Sequence, residues 1–60
     1  MIRILVAEDM RILRDTLVST LNLEEDFKVV AEVADGTGVV PAALAERPDL
    51  AVLDLSLIHI

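Results

Sequence analysis

Ile2-Arg3-Ile4-Leu5-Val6-Ala7-Glu8-Asp9 and Leu50-Ala51-Val52-Leu53-Asp54 are the two stretches that decide the fold. In each, an apolar run, Ile4 to Ala7 or Leu50 to Leu53, stops at a carboxylate. Short aliphatic runs without polar alternation fit strands buried on both faces of a parallel sheet. If these strands are neighbours, their carboxyl ends gather Glu8, Asp9 and Asp54 at one edge of the sheet. Like charges repel by about 4 kcal/mol per pair at a separation of about 4 Å, with an effective dielectric near 20. Such a cluster persists when it has a task, commonly holding a hard divalent cation such as Mg2+.

Between the two runs the hydrophobic period changes. Met10, Leu13, Leu17 and Leu21 recur at spacings of 3, 4 and 4, while Arg11, Arg14, Asp15 and Ser19 fall largely away from that stripe. The pattern predicts an amphipathic helix ending near Leu23, followed by the polar connection Glu24-Glu25-Asp26. Phe27 to Ala34 reads as a second strand, and its charges Lys28 and Glu32 suggest an edge position. Asp35-Gly36 is a turn signal rather than a site. A second helix is expected from about Thr37 to Glu46, with Val40, Ala43, Leu44 and Arg47 at helical spacing. Pro41 belongs in a first turn, so the regular part should begin near Val40. Arg47-Pro48-Asp49 then stops it.

The order is strand, helix, strand, helix, strand. This alternation predicts an α/β fold of the doubly wound kind, a parallel sheet with right-handed crossovers. Three strands apolar on both faces need more cover than two helices supply, so the sequence reads as the first half of a domain.

Composition narrows the functional classes. The 60 residues are 55% hydrophobic with one aromatic, Phe27, too apolar for a disordered segment. Cysteine is absent, which excludes disulfides and thiolate metal sites and suits a reducing cytoplasm. The net charge of −6 argues against a direct grip on nucleic acid. No apolar run approaches the roughly 20 residues of a membrane span, and Glu8-Asp9 stand where a signal-peptide cleavage site should be. A cytoplasmic protein is expected, with no membrane contact.

Ligands of open α/β sheets bind beyond the carboxyl ends of the strands, where strand order reverses. One strand-terminal acid there is commonly an ordinary loop or helix-cap residue. Three acids at matching ends of adjacent strands are harder to dismiss. The blocks Ile4-Leu5-Val6-Ala7-Glu8-Asp9, Val29 through Gly36 and Arg47 through Leu55 occur in order, with Asp54 standing 45 positions after Asp9. In these blocks the chain resembles the receiver domain of bacterial two-component response regulators. The resemblance runs through Leu57, and the fold it implies is flavodoxin-like, with only the first β-α-β-α-β part present.

The resemblance implies a phosphoacceptor. Asp54 takes the phosphoryl group from the phosphohistidine of a sensor histidine kinase. Asp9 ligates Mg2+ directly, Glu8 mainly through water, and the main-chain carbonyl of Ser56 supplies a further oxygen. The block from Val29 to Gly36 is similar to receivers fused to a helix-turn-helix output domain. That similarity implies control of transcription, DNA contact only through an output domain absent from this chain, and a possible homodimer in the intact protein.

The sequence also departs from the family. Residues 1–57 read as the N-terminal part of a receiver domain, and 58–60 as a non-matching tail. Ile58, His59 and Ile60 stand where a Pro-Gly loop is expected, and Ser-Leu-Ile-His-Ile looks like read-through of a sequencing adapter. The later strands that carry a Ser or Thr and a Lys against the phosphoryl group are missing. The enzyme alternative is a Mg2+-dependent phosphohydrolase with an aspartate nucleophile, of which Asp54-Leu55-Ser56 is a poor echo. A dinucleotide-binding fold is excluded, because Glu8-Asp9-Met10 replaces the glycine-rich turn and would repel phosphate.

Overall fold

In a computed structural model, which describes residues 1–54, strand β1 (Ile2–Glu8) runs through the middle of a three-stranded parallel sheet. Strand β2 (Phe27–Val33) lies on one side of it and β3 (Leu50–Asp54) on the other, in the order β2-β1-β3. Helix α1 (Arg11–Asn22) joins β1 to β2, and α2 (Val39–Glu46) joins β2 to β3 after a short 3-10 turn, Gly36–Gly38. The two crossovers run in opposite directions across the sheet, so right-handed connections put α1 and α2 on opposite faces. This is the expected β-α-β-α-β part of a flavodoxin-like fold.

Full burial falls on β1. Ile4, Leu5, Val6 and Ala7 are all at 0% exposure. Burying each larger aliphatic side chain contributes about 1.5–3 kcal/mol. Leu5 and Ala7 meet Val33 of β2 on one face, covered by Val39, Ala42 and Ala43 of α2. Gly38 allows this close approach, since a Cβ there would lie 2.8 Å from Val33 Cγ1. On β2, Lys28 and Glu32 are exposed, as an edge strand predicts.

Both helices are rotated relative to the stripes read from the sequence. In α1 the half-buried residues are Arg14, Leu17, Val18 and Leu21, while Met10 and Leu13 are exposed. Arg14 is therefore on the packed side. Its aliphatic stem can lie along apolar surface while the guanidinium reaches polar groups at the sheet edge. In α2 the packed residues are Val39, Ala42 and Ala43, and Val40 and Leu44 face outward. Residues 39–45 are apolar throughout, so spacing alone could not choose the buried side. The helix begins at Val39, and Pro41 sits in its first turn, where the missing N–H costs nothing.

The end of α2 fixes the start of β3. Arg47 takes a left-handed conformation at φ 50°, with its N–H donating to the Ala43 carbonyl at 2.8 Å. Asp49 then exchanges two bonds with Arg3. The Arg3 N–H donates to Asp49 Oδ2 at 2.9 Å, and the Asp49 N–H donates to the Arg3 carbonyl at 2.7 Å. Arg3 Nη2 also donates to the Glu46 carbonyl at 2.6 Å, which places a cation at the helix C-terminus.

β3 departs from the expectation of burial on both faces. Leu50 is 49% exposed and Leu53 59%, and only Val52 is half-buried. The reason is cover: α1 contacts β1 and β2, and α2 does the same. Among the described residues, no helix is long and apolar enough to cross a membrane.

Candidate functional site

The carboxyl ends of β1 and β3 are adjacent, and their pairing ends with Glu8 opposite Asp54. Register partners on neighbouring strands point to the same face. The two side chains therefore emerge together at the sheet edge, with Asp9 the next residue along.

The three acids differ in environment. Asp9 and Asp54 are exposed, whereas Glu8 is buried, with only 2% exposure. One of its oxygens, Oε1, accepts the Met10 N–H at 3.2 Å. The other, Oε2, is buried with no hydrogen-bond partner among the described residues. Burial pushes the Glu8 carboxyl above its ordinary pKa, and the charges of Asp54 and Asp9 add to that rise. The Met10 N–H opposes it. A buried carboxylate oxygen without a donor is costly to keep ionised. A cation beside it would remove that cost.

Glu8, Asp9 and Asp54 offer only oxygen ligands, the kind a hard cation such as Mg2+ would take, and Glu8 Oε2 has no hydrogen-bond donor among the described residues. Among the described residues, no three His, Cys, Asp or Glu side chains already stand as a metal cage. Ser56, the fourth expected ligand, lies outside the described residues, as does the tail from 58 to 60.

Arg14 is the residue that sequence reasoning missed. Its Nη1 donates to the Glu8 carbonyl at 2.9 Å, reaching back from α1 to the end of β1. Helical spacing gave no signal, because a stripe count scores arginine as polar and ignores its long apolar stem. Asp35 behaves as a turn residue. Its Oδ1 accepts from the Thr37 N–H at 2.8 Å and the Thr37 hydroxyl at 2.5 Å, and these bonds hold its carboxyl below its ordinary pKa.

Comparison with known proteins points the same way. The chain is 39% identical over 57 residues to the uncharacterized transcriptional regulatory protein YvfU of Bacillus subtilis, covering 95% of this chain and 28% of that protein. It is 40% identical over 55 residues to the oxygen regulatory protein NreC of Staphylococcus epidermidis, covering 92% and 25%. It is also 41% identical over 54 residues to protein-glutamate methylesterase/protein-glutamine glutaminase 2 of Anaeromyxobacter dehalogenans, covering 90% and 16%. The chain thus spans about a quarter or less of the length of these relatives. No family model matches it, and no solved structure matches it significantly.

Proposed function

We propose that the chain is a phosphoacceptor module of the response-regulator receiver type, with Asp54 as the acceptor; its likeness to the transcriptional regulatory protein YvfU and the oxygen regulatory protein NreC supports this reading. The observation that carries this reading is the pairing of Glu8 with Asp54, which sets an exposed carboxylate beside a buried one that has an unpartnered oxygen. Asp54 is the acid open to an incoming group, and Glu8 is the one shielded from it.

An Asp54 carboxylate oxygen attacks the phosphorus of a phosphohistidine on a sensor histidine kinase. The new O–P bond forms as the P–N bond breaks, and its electron pair returns to the imidazole. Glu8, Asp9 and Asp54 would hold Mg2+, with the main chain at Ser56 as a further ligand, and the ion supplies positive charge against the phosphoryl oxygens. Asp54 contributes the nucleophile, Asp9 an exposed ligand, and Glu8 a fixed negative charge at the floor of the site. The chain turns over nothing besides its own modification. In the intact protein, in the cytoplasm, the modified state would control transcription through an output domain that contacts DNA.

Labelling with acetyl phosphate tests the assignment. The chain should take up one acid-stable, base-labile phosphoryl group in the presence of Mg2+, and Asp54→Asn should abolish uptake with the circular dichroism spectrum unchanged. Label retained by Asp54→Asn overturns the assignment. Continuous release of phosphate, many equivalents per chain, would instead favour the hydrolase.

A further inference from the structure

We propose that Arg14 is a positioning residue for the cation site, holding the β1–α1 turn so that Glu8 and Asp9 present their oxygens together. The inference rests on the phosphoacceptor reading and deepens it, since it names what sets the geometry of the ligand pair.

α1 begins without a side-chain cap at Met10, and its first turn contains no acidic residue. Three hydrogen bonds close a small loop in place of a cap. The Met10 N–H donates to Glu8 Oε1 at 3.2 Å, and the Arg14 N–H donates to the Met10 carbonyl at 2.8 Å. The Arg14 guanidinium then returns to the Glu8 carbonyl at 2.9 Å. Asp9 lies inside this loop in sequence, so its backbone is fixed at both ends by contacts that pass through Arg14.

Arginine suits the position for two reasons. Its long stem crosses the half-buried side of α1, and its rigid, always charged fork makes a directional bond to a carbonyl. The guanidinium is aimed at a main-chain oxygen rather than at Glu8 Oε2, which keeps that carboxylate oxygen available to a metal. Lysine could reach the same carbonyl as a point charge without the fixed plane. A neutral isostere could not make the bond.

Titration of the isotopically labelled 60-residue chain with MgCl2, followed by amide chemical shifts, tests this directly. Arg14→Met should raise the Mg2+ dissociation constant about tenfold, the size usual for loss of a group that orients metal ligands. Shifts in β2 and α2 should remain in place, and Arg14→Lys should recover part of the affinity. The inference is overturned if Arg14→Met binds Mg2+ as tightly as the unaltered chain. It is equally overturned if affinity falls only together with general loss of amide dispersion and lysine restores neither. An unaltered chain that shows no Mg2+-dependent shifts at residues 8, 9 and 54 sinks the metal reading itself. Unchanged affinity in Arg14→Met leaves that reading intact and removes only the role of Arg14.

Discussion

The two strands that flank β1 have similar apolar character and opposite surroundings. β2 is backed by both helices, and its Val33 joins Leu5 and Ala7 in the core. β3 pairs with β1 along its length but leaves Leu50 and Leu53 about half open. The difference shows that hydrogen-bonded pairing and burial are separate achievements. β3 is held by its backbone ladder and by Asp49, whereas β2 is held by side-chain packing as well.

The sharpest way to break this contrast is to empty the core that β2 shares with β1 and then to alter the exposed side of β3. Leu5→Ala should cost about 2–5 kcal/mol, the range for emptying a packed aliphatic site, and would leave a 60-residue chain largely unfolded. Urea unfolding followed by circular dichroism measures it. A loss below about 1 kcal/mol would mean that the β2 side is not the packed one.

An intermediate effect is expected from the strand tips, where two carboxylates shift in opposite directions. Glu8 has its folded pKa raised above 4.5, so the folded chain holds that proton over a pH range where the unfolded chain has lost it. Its contribution to stability therefore declines as pH rises from about 4.5 through the raised value. Asp35 has its folded pKa lowered below 3.8, so its contribution is present above 3.8 and is lost as pH falls through the lowered value. Without Mg2+, Glu8→Gln should raise the urea midpoint at pH 7, and Asp35→Ala should lower it. Two shifts of the same sign would show that the tips are not electrostatically distinct.

The smallest effect belongs to the open strand. Leu53→Thr should change stability by no more than about 0.5 kcal/mol, since the site is already wet and threonine suits a strand. A thermal melt suffices to check it. A loss approaching that of Leu5→Ala would erase the contrast between the two flanks.

Much of this arrangement is legible in the sequence alone. The change from strand-like runs to helical spacing located the three strands and both α-helices, though not the 3-10 turn Gly36–Gly38, and the acids at Glu8, Asp9 and Asp54 marked one end of the sheet. What escaped notice were relations between distant residues. The exposure of β3 depends on what covers it, which its own residues do not encode. The burial of Glu8 and the inward rotation of Arg14 arise from how α1 is seated on the sheet. Neither the Arg3–Asp49 exchange nor the phase of α2 leaves a local trace, because one spans 46 positions and the other involves a helix that is apolar nearly all round.

The reciprocal bonds between Arg3 and Asp49 act as the zero mark of a ruler. Counting from that mark, five residues bring the chain to Asp54 and five bring β1 to Glu8. Side chains alternate faces along a strand, so the parity of that count decides which side of the sheet Asp54 occupies. Deleting or inserting one residue between Asp49 and Asp54 would send that carboxylate to the far side while leaving the composition of the sheet edge untouched.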